Sequence, residues 1–171
     1  CGLWKGTYRT EGDTYSLGRH GFARDMNFQL LKLTEQSVTY LLHDNENTLR
    51  QYPYLFRLTV TYKLVGNEVH VIWHVHNTDK REIHFQIGAH PAFNLPGVAE
   101  GEPVKGVLRF DNPNSIDRIY GNHEGCITTD RYPLPTLEGG LMPFTEETFK
   151  DDAIIVDQCQ IHSIEILDPK S

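Results

Sequence analysis

The sequence predicts an all-β protein, an antiparallel β-sandwich, on three observations. Apolar residues recur with a period of two, the alternating runs come in pairs joined by short turn-forming segments, and helical signals are nearly absent. A chain of 171 residues is long enough for one real hydrophobic core, and residues 1–171 read as a single domain. The Pro- and Gly-rich pieces at 96–103 and 132–143 read as long loops, because apolar strand-like runs continue on both sides of each.

In chain order, residues 27–33 and 37–43 form a first hairpin around Thr34-Glu35-Gln36-Ser37. The clearest element is 56–64: Phe56, Leu58, Val60, Tyr62 and Leu64 face one way, and Arg57, Thr59, Thr61 and Lys63 the other. Val65-Gly66-Asn67-Glu68 turns the chain, and 69–75 returns with Val69, Val71, Trp73 and Val75 on one face. The run 84–87 is strand-like, 107–110 is another strand, and 153–156 pairs with 162–167 as a third hairpin. The one helical signal is a short turn at 145–150, where Thr145 precedes acidic residues as an N-cap does.

Bulk composition removes several function classes. With 39% hydrophobic, 11% aromatic and 23% charged residues the chain is globular rather than disordered. A formal net charge of -7 and the absence of any basic run argue against nucleic acid. No apolar run reaches the ~18 residues of a membrane span, and no signal-peptide layout is present. Cys1, Cys126 and Cys159 are odd in number and far apart, so they suggest neither a disulfide framework nor a thiolate zinc site. Reduced thiols in a soluble cytoplasmic protein fit best.

Nine histidines remain to be sorted. His70, His74 and His76 alternate on one strand face, where two of them with His84 have conceivable metal-sharing spacing; a polar sheet face explains them more simply, since no carboxylate or cysteine completes a recognisable set. His43, His123 and His162 read as loop or surface residues. His90 and His20 differ in setting. His90 lies in Gly88-Ala89-His90-Pro91-Ala92-Phe93-Asn94, where Pro91 biases it toward extended geometry. His20 lies in Arg19-His20-Gly21-Phe22-Ala23-Arg24-Asp25. An imidazole, with an unperturbed pKa of about 6.5, is the side chain best suited to exchanging protons near neutrality. The plain alternatives are a turn histidine that bonds backbone, for His90, and a loop whose Arg19, Arg24 and Asp25 form ion pairs, for His20.

At these residues the chain resembles the aldose 1-epimerase (galactose mutarotase-like) family, in particular a bacterial branch with H-G-F-A-R-D and G-A-H-P-A-F-N segments. Both are unbroken here, and Tyr52-Pro53-Tyr54 and Asp151-Asp152-Ala153 follow that branch in order and spacing. The resemblance implies a large antiparallel β-supersandwich and interconversion of the α and β anomers of a free aldohexose. It implies His90 as the acid that protonates the ring oxygen and His20 as the second catalytic histidine. Asp152 and Arg24 are implied as substrate-binding residues, with no metal and no redox cofactor. Phe93 and Trp4 offer apolar faces to a sugar ring, with core packing as the alternative.

Two departures accompany the resemblance. Nothing here matches the family's C-I-E-P-W segment, which carries the general base, and Glu165 lies in a different pattern. Leu3 stands where an arginine that contacts sugar is common. The stretch therefore reads as the middle of an epimerase-like domain, inactive in full without the base. A carbohydrate-binding β-sandwich without catalysis is the competing reading. An epimerase for phosphorylated hexoses, using Arg19, Arg24 and Arg81, gains little support from the acidic balance.

Overall fold

The computed structural model describes residues 2–121, 126–151 and 153–168. Every strand pairing among them is antiparallel, and helix is confined to short turns, in keeping with the all-β fold class. The chain divides into two compact units, Cys1–Ile87 and Gly88–Ser171, taken here in turn.

The first unit opens with a hairpin of β1 (Thr7–Thr10) and β2 (Asp13–Ser16). Its two-residue loop is Glu11-Gly12, with φ of 53° and 91°. Positive φ at both positions is what a type I′ loop demands, and it matches the twist of the flanking strands. Tyr8 and Tyr15 sit opposite each other and stack at 5.7 Å. A four-stranded sheet follows: β3 (Gln29–Leu33), β4 (Ser37–His43), β5 (Phe56–Val65) and β6 (Glu68–Asn77), in that spatial order. Both hairpins predicted in this region are present. The β5–β6 loop is Gly66-Asn67, with Gly66 at φ 60°, as a II′ loop requires of its first residue.

Directly opposed residues share a face, so the register gathers the apolar side chains. Leu42, Leu58 and Val75 align across three strands, as do Tyr40, Val60 and Trp73. At the inner end Leu42, Phe56 and Leu58 are buried beneath Phe22, Ala23, Met26, Phe28, Tyr52 and Ile83. Toward the β5–β6 turn the same face opens, and Leu64 is 52% exposed against 3% for Leu42. The period-two pattern was therefore right about the face and silent about how far along it burial extends.

Between β4 and β5 a single helical turn, α1 (Glu46–Leu49), escapes the sequence reading. Its cap is complete: Asn45 Oδ1 accepts from the Asn47 and Thr48 N–H groups at 2.9 and 3.2 Å. The fully buried Thr48 hydroxyl accepts from the Asn45 N–H in return at 2.9 Å. At the far end of β6, Arg81 gathers separate pieces of chain. It donates to Glu11 at 2.6 Å, to both Asp79 oxygens and to the Pro53 carbonyl, with its guanidinium 4.9 Å from the Tyr54 ring centroid. Asp79 also accepts from the Leu55 N–H at 3.0 Å. Charged hydrogen bonds from Arg81, then the backbone bond from Leu55, hold the Asp79 carboxyl well below the usual range.

The second unit centres on β7 (Lys105–Phe110). Beside it are a small pair, β8 (Ile116–Arg118) with β9 (Tyr132–Leu134), and two flanking partners of β7, β10 (Leu141–Thr145) and β11 (Ile164–Leu167). Phe110, Ile116, Leu134 and Met142 form its core, joined by Leu108, Ile154, Val156 and Ile161. The 3-10 turn Glu146–Phe149 follows Thr145, the predicted cap, whose N–H donates to the Thr148 hydroxyl at 3.0 Å.

Three expectations fail. Residues 153–156 and 162–167 do not pair: β11 zips onto β7, while Ile155 bridges Ile119. Asp111 fixes that choice by accepting from the His162 and Ser163 N–H groups at 3.0 Å each. The piece 132–143 is not one long loop, because β9 and the start of β10 lie in it; Pro133 and Pro143 stand in short strands flanking one partner only. Residues 84–87 run without a sheet partner.

Candidate functional site

The first unit carries a cavity of about 460 Å³. That is within the span of small-molecule sites, roughly 300–1,000 Å³. Its wall is mostly apolar, with Tyr8, Phe22, Tyr52 and Phe56 as aromatics and His20 and His84 as imidazoles. Each arrives there for a local reason. Phe22 enters the core cluster and lies 5.9 Å from both the Tyr52 and Phe56 rings, which draws the preceding His20-Gly21 to the rim. Tyr8 projects from β1, its hydroxyl donating to the Gln51 carbonyl at 2.8 Å. Tyr52 donates to the His84 carbonyl at 2.9 Å. Burial, and then the neighbouring Tyr54, push both the Tyr8 and Tyr52 hydroxyls up to about 12, so they stay neutral donors near pH 7.

His20 has φ 71°, the left-handed region that a β-carbon disfavours, and Gly21 after it has the same φ. The Gly21 N–H donates to the Gly18 carbonyl at 3.0 Å and closes this turn. Lys5, Glu11, Gln158 and Cys159 share the left-handed region, so what sets His20 apart is its place in the cavity wall. Arg24, from the same segment, is on the outside: its Nε lies 3.5 Å from Asp25, the ion pair that was the plain alternative, and it is not among the cavity's lining residues. Leu3 does line the cavity.

His90 belongs to the second unit, in an exposed stretch without helix or strand. Asp152 lies outside the described residues. Glu165 is on β11 and pairs with Arg109 at 2.7 Å, so it is engaged structurally. Trp4 and Phe93 are 55% and 69% exposed, which removes core packing as the explanation of either. Among the described residues no group of three or more His, Cys, Asp or Glu is arranged to hold a metal ion. His70 instead meets Glu68 at 2.8 Å, and the His74 and His76 rings lie edge to face on their strand.

Sequence reasoning missed Tyr8 and His84 as cavity residues. For Tyr8 a signal existed, since Thr7-Tyr8-Arg9-Thr10 and Asp13-Thr14-Tyr15-Ser16 alternate around Glu11-Gly12. For His84 the alternation of 84–87 pointed to a paired strand, and the segment has no sheet partner.

The described residues pair only antiparallel strands, and they carry a cavity lined by histidines and aromatics. The chain belongs to the aldose 1-epimerase family, whose model matches residues 5–131. It is similar to the chromosomal and plasmid LacX proteins of Lactococcus lactis subsp. lactis. Identity is 32% in both cases, over 96% and 90% of this chain and 56% and 52% of the relatives. Among solved structures it is similar to a galactose mutarotase related enzyme from Lactobacillus acidophilus, with TM-score 0.85, 31% identity, and coverage of 97% of this chain and 55% of that one. A galactose mutarotase-like protein from Lactobacillus casei superposes with TM-score 0.83 at 29% identity, covering 98% and 57%. The chain thus spans about half the length of the curated relatives it matches. No helix among the described residues is long and apolar enough to cross a membrane.

Proposed function

We propose that this protein is, or is part of, a cytoplasmic isomerase of the aldose 1-epimerase type that interconverts the anomers of a free hexose. In this reading a general base takes the proton of the C1 hydroxyl while His90 gives a proton to the ring oxygen. The C1–ring oxygen bond breaks to leave an aldehyde. Rotation about C1–C2 turns the other carbonyl face to the hydroxyl, and reclosure returns both protons and gives the opposite anomer. His20 stabilises the charge that develops near the ring oxygen. Asp152 holds sugar hydroxyls, and the apolar face of the ring lies on the aromatic wall; Arg24, turned outward in its pair with Asp25, is left without that role. No residue of the chain is assigned as the base, and no metal or redox cofactor enters.

The observation that carries this reading is His20. It occupies an unbroken H-G-F-A-R-D segment, in a left-handed conformation, at an aromatic-lined cavity of sugar size. The test is α-to-β exchange of glucose and galactose followed by polarimetry or NMR on the full-length protein. Exchange should exceed the spontaneous rate and fall by ~10² or more in His90→Ala, the scale of acid–base catalysis. Equal rates in wild type and His90→Ala would remove the acid role.

A second reading, a sugar-binding module without turnover, draws on the apolar Leu3 in the cavity wall. Ligand-induced shifts without accelerated exchange would select it.

A further inference from the structure

The segment 83–87 has an unusual position. Ile83, His84, Phe85, Gln86 and Ile87 all line the cavity, yet none pairs with a strand, and His84 to Ile87 are exposed. A hydrogen bond ties this strap down, the 2.9 Å bond from the Tyr52 hydroxyl to the His84 carbonyl. Tyr52 has a second set of contacts. Its ring packs on Phe22, two residues beyond His20, and on Tyr54 and Phe56 of the buried cluster. Its own N–H donates to the Thr48 carbonyl at 2.7 Å, at the end of a fully capped turn. Tyr52 therefore touches Phe22 of the His20 segment with its ring and holds the unpaired 83–87 strap with its hydroxyl.

We propose that Tyr52 is a positioning residue of this site, whose hydroxyl sets the width of the cavity by latching the 83–87 strap to the His20 wall. The latch works through a neutral phenol donating to a backbone carbonyl, so it needs the hydroxyl and not merely the ring. It also follows that residue 84 is held by its carbonyl, whatever side chain it bears.

The test compares Tyr52→Phe with Tyr8→Phe, which removes the other hydroxyl of the cavity without touching the strap. The readouts are the His84 carbonyl ¹³C shift, the ¹⁵N order parameters of Phe85 and Gln86, and the affinity for galactose and glucose by NMR titration. In Tyr52→Phe the carbonyl shift should move, the two order parameters should fall, and sugar affinity should weaken about 2- to 10-fold, the worth of one neutral hydrogen bond. Tyr8→Phe should leave the strap's order unchanged. Order parameters equal to wild type in Tyr52→Phe would overturn the latch, as would a loosened strap with unaltered affinity. The affinity arm rests on the sugar reading above and the order arm does not. A loosened strap in a protein that binds neither sugar would refute that reading and leave the latch standing.

Discussion

Replacing His20 by glycine and by alanine separates the backbone of this turn from its chemistry. Both variants lack the imidazole, so whatever the ring touches cancels between them, and only the backbone preference differs. At φ 71° a β-carbon costs about 1–2 kcal/mol that glycine does not incur. Against this, glycine gains about 0.4–1 kcal/mol of disorder in the unfolded chain relative to alanine. The balance favours His20→Gly over His20→Ala by about 0–1.6 kcal/mol, and its centre of ~0.8 kcal/mol corresponds to a midpoint about 2–3 °C higher for a chain of this size. Thermal unfolding by circular dichroism measures it directly. A glycine variant that melts below the alanine variant would show that position 20 is not held left-handed. In the exchange assay both variants should be equally impaired, since stability and catalysis draw on different parts of the residue.

Other outcomes follow from the same geometry. Leu42→Ala should cost about 2–5 kcal/mol in denaturant unfolding, while Leu64→Ala, half in water on the same sheet face, should cost well under half as much. Gly140→Ala should be strongly destabilising, because φ is 74° there and the added carbon would stand 2.7 Å from the Phe110 carbonyl oxygen. Asp79 titrates below its unfolded value. The stability it contributes is therefore complete above pH ~4 and is lost as pH falls through the folded value. Asp79→Asn should be less stable than wild type at pH 6 and show a flatter acid limb; parallel limbs in a pH series would contradict the Arg81 assignment.

What was legible in the sequence were the elements whose information is local. The β5–β6 hairpin declares itself through ten alternating residues and a Gly66 that tolerates positive φ, and Thr145 announces a capped turn with three residues. The failed pairing at 153–167 was a contest between a near partner and a distant one. Strand β11 gains more from β7, where Ile164 pairs with the core residue Phe110, than from a short run beside a turn with Gln158 and Cys159 at positive φ. Such contests are settled by packing that spacing does not encode. At the site, His20 was recognisable because glycine and arginine neighbours make its segment rare. The aromatic wall was not, since Tyr8, Phe22 and the Tyr52–Phe56 stretch are separate pieces of chain brought together only by the sheet and its covering loops.

The guanidinium of Arg81 bears on how this fold tolerates change. It fastens the β1–β2 ribbon, the Pro53 bend and the segment just after β6 at one point, through Nη1 to Glu11, Nη2 to both the Pro53 carbonyl and Asp79, and Nε to Asp79. A lysine there would preserve the charge and lose the knot, because one ammonium head lacks a planar fork to reach all three. Chains that drift at this position thus risk freeing the ribbon that presents Tyr8, although the site itself would be unaltered in composition.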